Sequence, residues 1–402
     1  MTARRLAGLA GVAAALVLNQ PMLERFVLAD GHLESPVAQL AIAVADIVLL
    51  VVGASLLLGV RSFRPSAAVL AFLSVCTGLV IGEFMARCVP RFEPRPRWFV
   101  GDRVSHEGEH FLSDSLTGWR MRPSYSFEWQ VSGRWSNYRS NRDGFRSARE
   151  LGADSGRAAV VLIGDSFTFG SGVQYDETFG ARLEAALPRT VIWNLGMPGF
   201  GLDQIYRSLR YQVPALHPAL VVFVFIDDDL RRSFTSFMEQ WGVSKPMYVL
   251  EGDTLREATP RDRPPWVVRY LERHSWLWTA GRSILAPLMY KRPDAQWWQL
   301  NAEIIRAAVT EGRRQGVPLL FVRLPQDPLL HPDFTLMRSL MDSLHADYLD
   351  LADSARGMTR AIHLERDNHL SPDGHQYVAD VLDRWIQSRV PELVGPRPDS
   401  PP

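Results

Sequence analysis

The chain has 402 residues, and its 44 lysine and arginine residues balance its 44 aspartate and glutamate residues, so the formal net charge is zero. This balance gives no support for a nucleic-acid partner, which a strongly basic chain would indicate. The length is sufficient for a sizeable core plus a second region. The two cysteines, Cys76 and Cys88, would lie about 18 Å apart on one helix, too far for a disulfide.

The N-terminal region is the most apolar part of the chain. Val37–Val60 and Ala67–Ala86 are each long enough to cross the core of a bilayer, and Leu6–Leu18 is a shorter third candidate. The loop between the two long segments carries Arg61 and Arg64 and no acidic residue. Short basic loops stay in the cytoplasm. We therefore expect a membrane anchor of two or three helices, with the rest of the chain on the extracytoplasmic side.

Two ionisable residues, Asp46 and Glu83, fall at membrane depth in these segments, where such groups are candidates for function. Glu83 has a simpler explanation, because Arg87 lies four residues further along the same helix face. Asp46 has no partner evident in the sequence. Two explanations stay open for it: contact with a helix of another protein, or a protonated side chain.

Residues 91–112 form a linker that is rich in proline and arginine, and its basic residues are placed to contact membrane lipid. The linker contains His106-Glu107-Gly108-Glu109-His110, which fits the zinc-protease pattern H-E-x-x-H. That pattern binds zinc only on a helix, where positions i and i+4 share a face. The central glycine and the lack of flanking apolar periodicity argue against a helix, so we expect no metal site.

Strands alternate with helices throughout the predicted domain 158–392, which follows a small β-rich lead-in at 113–157. This alternation predicts an α/β fold with a mainly parallel sheet, helices on both faces and a site at the carboxyl ends of the strands. The tail 393–402 is proline-rich and is expected to be disordered. The predicted strands are Ala159–Ile163, Thr190–Trp193, Leu220–Ile226, Pro318–Val322 and Asp347–Leu351, and the predicted helices are Glu177–Leu187, Asp203–Val213, Gln299–Gln315, Phe334–Leu344 and His375–Val390.

The first candidate for chemistry is Ser166, within Gly164-Asp165-Ser166 at the end of the strand Ala159–Ile163. A small residue, an acid and a hydroxyl at this point form a sharp strand-to-helix turn, which can lift a serine hydroxyl to the top of an α/β sheet. The same tripeptide is also an ordinary turn followed by a helix cap. Two more candidate segments, Asn194–Gly199 and Asp227–Asp229, also follow strands, which favours a shared site.

A serine nucleophile needs a base within hydrogen-bond reach, and the base needs a carboxylate to orient it. Asp367 lies two residues before His369 in a polar loop near the C-terminus, so a tight loop can place both on one surface. His375 is a rival base. It lies inside the following helix, and we expect it to pack or to cap instead.

These segments together resemble the ordered motifs of the SGNH or GDSL-type serine hydrolases. Gly118–Pro123 and Ser140–Arg146 also resemble a lead-in of a membrane-tethered bacterial branch of that family. The resemblance covers roughly residues 115–390. The motifs that carry it, in chain order, are Gly164-Asp165-Ser166, Asn194-Leu195-Gly196-Met197-Pro198-Gly199, Asp227-Asp228-Asp229-Leu230 and Asp367-Asn368-His369.

The resemblance implies a three-layer, flavodoxin-like sandwich that needs no metal or other cofactor. It assigns Ser166 as nucleophile, His369 as base and Asp367 as the residue that orients His369. The backbone N–H groups of Ser166 and Gly196 would form the oxyanion hole.

The same resemblance implies an acyl ester as substrate, and the membrane-tethered branch favours a cell-envelope glycan. It places the protein in the bacterial inner membrane, with the catalytic domain in the periplasm. A hydrolase and an O-acyltransferase differ only in whether water or a sugar hydroxyl resolves the acyl-serine. A transferase would require a multispan membrane protein as the partner that supplies the acyl donor.

The third motif departs from the family at Asp228, where the family has an asparagine whose amide donates to the oxyanion. An ionised carboxylate would repel the oxyanion, and one lost donor costs about 3–4 kcal/mol. Asp228 could be protonated because Asp227 and Asp229 raise its pKa. It could instead be neutralised by Arg231 or Arg232 and bind substrate, with the two arginines as further substrate-binding residues. The motif could be misaligned by one residue, or the site could be weak or inactive, in which case the chain would bind glycan or scaffold an envelope assembly.

Overall fold

The structure, a computed structural model, forms two compact units along the chain. The first comprises Met1–Arg97, Phe237–Gln240 and Arg261–Asp294, and the second comprises Trp98–Ser236, Trp241–Pro260 and Ala295–Pro402. The residues that it describes are 3–19, 21–22, 36–58, 78–79, 81–89, 100–101, 110–131, 133–147, 149–152, 156–238, 243–252, 254–258, 270–271, 274–289, 295–326, 335–355, 362–365 and 367–393.

The described part of the first unit is mainly helical. Helices Ala3–Leu18 and Pro36–Leu57 pack closely. The backbones approach so closely at Gly8 that a Cβ there would lie 2.7 Å from the carbonyl oxygen of Gly53. No helix among the described residues is both long enough and apolar enough to span a bilayer. The predicted spans Val37–Val60 and Ala67–Ala86 include residues outside the described ranges.

Glu83 lies in a helical stretch of the first unit, residues 81–87, and has several partners there. It pairs with Arg87 at 3.3 Å, as the spacing of four residues predicts. Its carboxylate also accepts hydrogen bonds from the backbone N–H groups of Trp276 and Leu277, at 3.1 and 3.0 Å. Glu83 therefore caps the start of the helix Trp276–Met289.

The second unit is built on a five-stranded sheet in which all neighbouring strands are parallel, so the predicted α/β class is confirmed. The strand order is β5-β4-β3-β1-β2. The order reverses between β1 and β3, the point at which open α/β sheets place their ligands. The strands are β1 (Ala158–Ile163), β2 (Thr190–Asn194), β3 (Leu220–Phe225), β4 (Leu319–Arg323) and β5 (Asp347–Asp350).

Both faces of this sheet are buried. Val160 and Leu162 of β1 belong to the core that contains Phe179 and Leu382, while Val161 on the opposite face is also fully buried. The helices of the unit are Ser166–Phe169, Phe179–Ala186, Leu202–Tyr211, Asp227–Arg232, Ala295–Gln315, Thr335–Ser343, Leu351–Ser354 and Pro372–Arg389, with 3₁₀ turns at Tyr175–Glu177, Val213–Leu216 and Pro391–Leu393.

The lead-in consists of short strands and is tied to the serine turn by the buried guanidinium of Arg146. That group donates to the carbonyl oxygens of Phe169 at 3.1 Å and Val173 at 2.7 Å, and to two more. Burial lowers the pKa of Arg146 to about 10. Two short strands, Val100–Gly101 and Phe111–Asp114, begin within the segment predicted as a linker. The lead-in strands are Gly118–Met121, Ser126–Val131 and Arg134–Arg139, and later short strands are Val243–Ser244, Met247–Glu251 and Thr254–Ala258.

His375 is buried near the start of the helix Pro372–Arg389, where its Nδ1 accepts a hydrogen bond from the N–H of Phe179 at 3.2 Å. Burial, with smaller effects of Arg146 and Arg182, lowers the pKa of His375 to about 3 from an ordinary value of 6.5. Between these two pH values the unfolded chain binds a proton that the folded chain excludes. His375 therefore lowers the stability of the fold progressively as the pH falls below 6.5.

We expect the variant His375→Asn to lose less stability on acidification than the wild type. The asparagine carbonyl can still accept from the N–H of Phe179, but the side chain cannot bind a proton in the unfolded state. Between about pH 8 and pH 5 the decrease in the free energy of unfolding should shrink by about 2 kcal/mol. Urea unfolding followed by tryptophan fluorescence measures this, and an unchanged pH dependence would contradict it.

Candidate active site

Three side chains form a continuous hydrogen-bonded chain at the carboxyl end of β1. The hydroxyl Oγ of Ser166 lies 2.8 Å from Nε2 of His369. Nδ1 of His369 lies 2.6 Å from Oδ1 of Asp367. With the proton of the neutral imidazole on Nδ1, Nε2 is free to accept the proton of the Ser166 hydroxyl. The arrangement can therefore activate the serine as a nucleophile.

The turn after β1 fixes the position of Ser166. Asp165 caps the helix Ser166–Phe169 by accepting from the N–H of Phe167 at 2.9 Å. Its other oxygen lies 3.2 Å from Oγ of Ser166. The ring of Phe167 packs 5.1 Å from the ring of His369, between centroids. Ser166 itself is 6% exposed, so little of the residue is open to solvent.

His369 is held by the loop before the helix Pro372–Arg389. Its carbonyl accepts from the N–H of Leu364 at 2.9 Å, and its own N–H donates to Asp367 at 2.8 Å. Burial opposes ionisation of Asp367, but the hydrogen bonds from the side chain and the backbone N–H of His369 outweigh it and lower the pKa of the Asp367 carboxyl. An ionised Asp367 is the form that orients a histidine base. His375, the rival base, bonds to Phe179 instead of Ser166.

The guanidinium of Arg232 binds three carboxylates beside this site. It lies 3.3 Å from Asp165, 2.7 Å from Asp228 and 2.7 Å from Asp229. It also donates to the carbonyl of Phe200 at 3.1 Å. The side chain of Arg232 is 12% exposed and pairs with three carboxylates, so the expectation that it binds substrate is corrected: it neutralises buried acids.

Asp228 is an ionised carboxylate in this arrangement. Burial opposes its ionisation, but Arg232 and Arg231 outweigh it and lower the pKa of Asp228 below its ordinary value. Arg231, which is largely exposed, holds the second oxygen of Asp228 at 2.7 Å. This contradicts the explanation in which Asp228 is protonated. Since a carboxylate has no proton to donate, Asp228 does not serve as an oxyanion donor in this form.

Asp229 behaves differently from Asp228. It is fully buried and accepts from the N–H of Ile226 at 3.0 Å. Burial and the nearby carboxylate of Asp165 raise the pKa of Asp229 well above its ordinary value.

Gly196 does not offer its N–H to a substrate, which corrects its assignment to the oxyanion hole. That N–H donates to Oδ1 of Asn194 at 2.9 Å. Glycine is required here for packing, because a Cβ would lie 2.6 Å from the backbone nitrogen of Phe169 and 2.7 Å from Cβ of Thr168. Gly196 therefore lets the loop after β2 approach the serine helix.

Gly199, in the same loop, has a backbone N–H without an acceptor among the described residues. Among the described residues of the loop 195–201, every backbone N–H has an acceptor except that of Gly199. Ser166, the first residue of its helix, likewise has an N–H without an acceptor in the described part of the chain. The sequence signal for Gly199 was the Pro-Gly pair, which is typical of a turn with a positive φ at the glycine.

The described ranges contain no group of three histidine, cysteine, aspartate or glutamate side chains that could hold a metal ion. The candidate zinc motif lies outside them, except for His110, whose ring stacks 3.9 Å from that of Phe127.

Solved structures similar to this chain include lipolytic proteins and esterases. They include a member of the lipolytic protein G-D-S-L family from Veillonella parvula DSM 2008, with 9% identity, a TM-score of 0.37 and coverage of 58% of this chain and 99% of that chain. The psychrotrophic esterase EstA from Pseudoalteromonas sp. has 11% identity, a TM-score of 0.36 and coverage of 58% and 98%. The acetyl xylan esterase AlAXEase has 15% identity, a TM-score of 0.33 and coverage of 56% and 98%. TM-scores of this size do not establish the family of the chain.

No known protein family has a sequence profile that matches this chain. No curated protein matches it either. The function of the chain therefore has to be argued from the geometry of its own residues.

Proposed function

We propose that this protein is a serine acyl-hydrolase or O-acyltransferase of the SGNH type that acts on acyl esters. The observation that carries the proposal is the chain of two short hydrogen bonds, 2.8 Å from Ser166 to His369 and 2.6 Å from His369 to Asp367. Such a chain gives a neutral hydroxyl the base that it needs to attack a carbonyl.

In the first half of the reaction, Oγ of Ser166 attacks the ester carbonyl carbon while its proton passes to Nε2 of His369. Asp367 stabilises the imidazolium that forms. The tetrahedral intermediate then collapses, the bond to the leaving alcohol breaks, and His369 returns the proton to that alcohol. In the second half, water or an acceptor hydroxyl attacks the acyl carbon while its proton passes to Nε2 of His369. The bond from the acyl group to Oγ of Ser166 then breaks, His369 returns the proton to Oγ, and the acid or the new ester leaves.

The oxyanion hole of the proposed mechanism consists of the N–H groups of Ser166 and Gly199. Both are donors without an acceptor in the described part of the chain, and both follow parallel strands at the same edge of the sheet. Backbone donors held in place before the reaction stabilise the developing charge without reorganisation. Asp228 then lies outside the hole, where it anchors Arg231 and Arg232.

We also propose that the substrate is an acylated glycan of the bacterial cell envelope. The support is the resemblance of Gly118–Pro123 and Ser140–Arg146 to the lead-in of membrane-tethered relatives. If the acceptor is a sugar hydroxyl instead of water, a multispan membrane protein must supply the acyl donor, because two or three spans are too few to carry it across a bilayer.

A membrane anchor in the N-terminal region is part of the same proposal, with the catalytic domain in the periplasm. Its support is the packing of Gly8 against Gly53, since small residues that let backbones approach are typical of helix pairs in lipid. The outer faces of the two helices carry exposed apolar side chains, among them Leu6, Leu16 and Ile47.

We expect a reporter fused after Pro402 to be active only outside the cytoplasm, because Arg61 and Arg64 keep their loop inside. Alkaline phosphatase at this position should show full activity in intact cells, and a fluorescent protein that folds only in the cytoplasm should stay dark. The opposite pair of results would place the catalytic domain in the cytoplasm and would overturn the envelope assignment.

Labelling of the purified protein with a fluorophosphonate probe tests the proposed activity. Wild type should be labelled and Ser166→Ala should not.

The ionised Asp228 favours one rival function, a non-catalytic protein that binds glycan or scaffolds an assembly, because a negative charge near an oxyanion would slow acyl transfer. A folded wild type that the probe does not label would support this rival.

A further inference from the structure

We propose that Trp119, in the lead-in, is a positioning residue that holds the Pro198–Gly199 peptide in the one orientation that presents the N–H of Gly199 to the oxyanion. The inference rests on the proposed function. It explains why the N–H of Gly199 points in one direction, since the loop after β2 does not fix that direction by itself.

The donor lies in a tight turn formed by Met197, Pro198, Gly199 and Phe200. The N–H of Phe200 donates to the carbonyl of Met197 at 3.3 Å, which closes the turn. Gly199 has a φ of 80°, in the left-handed region. Proline at the second position and a glycine with positive φ at the third are the features of a type II turn.

A turn of this kind has an alternative form. Type I and type II turns share the same closing hydrogen bond and differ mainly by a rotation of the central peptide through about half a turn. Because C=O and N–H point in opposite directions in a trans peptide, that rotation would reverse the N–H of Gly199. Glycine tolerates both forms, so Gly199 cannot select between them.

Trp119 stabilises one of these two forms of the turn. Its indole Nε1–H donates to the carbonyl oxygen of Pro198 at 2.9 Å, and the side chain is fully buried. The indole also meets the ring of Phe200 edge-on, with centroids 5.4 Å apart and planes at 71°. Rotation of the peptide would break this hydrogen bond and take the acceptor away from the fully buried indole N–H, which is unfavourable.

The far end of the turn is held as well, because the carbonyl of Phe200 accepts from Arg232 at 3.1 Å. With the ends fixed, the central peptide is the part of the turn that can still rotate, and Trp119 alone contacts its oxygen among the hydrogen bonds of the described residues. A residue of the strand Gly118–Met121 thus orients a proposed oxyanion donor through one indole N–H.

The test compares Trp119→Phe, which removes the N–H and keeps an aromatic ring, with the matched control Trp135→Phe. Trp135 is 60% exposed on another strand of the lead-in. Each protein is assayed on a small acetyl ester and on its thiono analogue, in which C=S replaces C=O. Sulfur is a weak hydrogen-bond acceptor, so the thiono ester gains little from oxyanion donors.

For the acetyl ester, Trp119→Phe should lower kcat about 10- to 100-fold and change KM by less than about 2-fold, because the donor acts in the transition state. For the thiono ester, the rate should fall by less than about 2-fold, so that the ratio of kcat/KM for the two esters falls about 10- to 100-fold. The ratio does not depend on the fraction of folded enzyme, and general loosening of the fold would lower both rates alike. Trp135→Phe should keep the wild-type ratio.

If Trp119→Phe does not fold, a benzothienyl analogue of tryptophan incorporated at position 119 keeps the shape of the indole and removes only the N–H. An unchanged ratio in either protein, with a wild type that labels with fluorophosphonate and a Ser166→Ala variant that does not, overturns the role of Trp119 and leaves the proposed function intact. A wild type without turnover or labelling overturns both.

Discussion

Ser166→Ala and His369→Ala should each remove nearly all turnover of a small acetyl ester, by a factor of about 10³ or more in kcat. The two side chains act as one unit, since a hydroxyl without its base, or a base without its hydroxyl, cannot form the acyl-enzyme. Asp367→Asn should cost the same or less than Ser166→Ala, because it disturbs the orientation of His369 and leaves the nucleophile in place. Steady-state kinetics on purified variants measure all three effects.

The matched control for this series is Ser171→Ala, which removes another buried serine hydroxyl close to the serine helix. It should keep a kcat within about 2-fold of the wild type, because the hydroxyl that lies beside Nε2 of His369 is that of Ser166. A Ser166→Ala protein that turns over substrate at the wild-type rate would show that another group is the nucleophile. Equal losses in Ser166→Ala and Ser171→Ala would instead indicate damage to the fold.

The α/β fold was predictable because its buried strands are short continuous apolar runs and its helices carry apolar residues at a helical period. The predicted strand Leu220–Ile226 and the observed strand Leu220–Phe225 differ by one residue, and both faces of the sheet are apolar as parallel strands require. The helix predicted at Gln299–Gln315 begins earlier, at Ala295, since the tryptophans at its start carry little helix signal of their own.

The order of motifs also indicated which strand ends meet, because the carboxyl ends of parallel strands share one edge. The sequence could not indicate which N–H groups are already satisfied inside a loop. Gly196 and Gly199 look equivalent in Asn194-Leu195-Gly196-Met197-Pro198-Gly199. Only the three-dimensional path shows that the Asn194 side chain accepts from Gly196. The same limit applies to Arg232, whose partner Asp165 is 67 residues away in the chain.

Arg232→Gln should destabilise the second unit by about 3–5 kcal/mol, because it removes the cation from a buried group of carboxylates. Asp165 and Asp229 are fully buried, and neither can recover its hydration when Arg232 is lost. Arg231→Gln is the matched control: Arg231 also pairs with Asp228 but is 56% exposed, so its loss should cost less than about 1 kcal/mol. Urea unfolding of the two variants at neutral pH measures the difference.

The loss of stability in Arg232→Gln should also depend on pH, and proton binding by the buried carboxyls determines whether the loss grows or shrinks as the pH falls. Without the guanidinium, burial and mutual repulsion raise the folded pKa values of Asp228 and Asp229 above their unfolded values. A carboxyl with a raised pKa destabilises the fold most at high pH, and this penalty is relieved as the pH falls and the group binds a proton. The difference in stability between wild type and Arg232→Gln should therefore shrink from about pH 8 to pH 5, while Arg231→Gln tracks the wild type. A loss that is no larger than that of Arg231→Gln, or that does not change with pH, would mean that solvent already screens these acids.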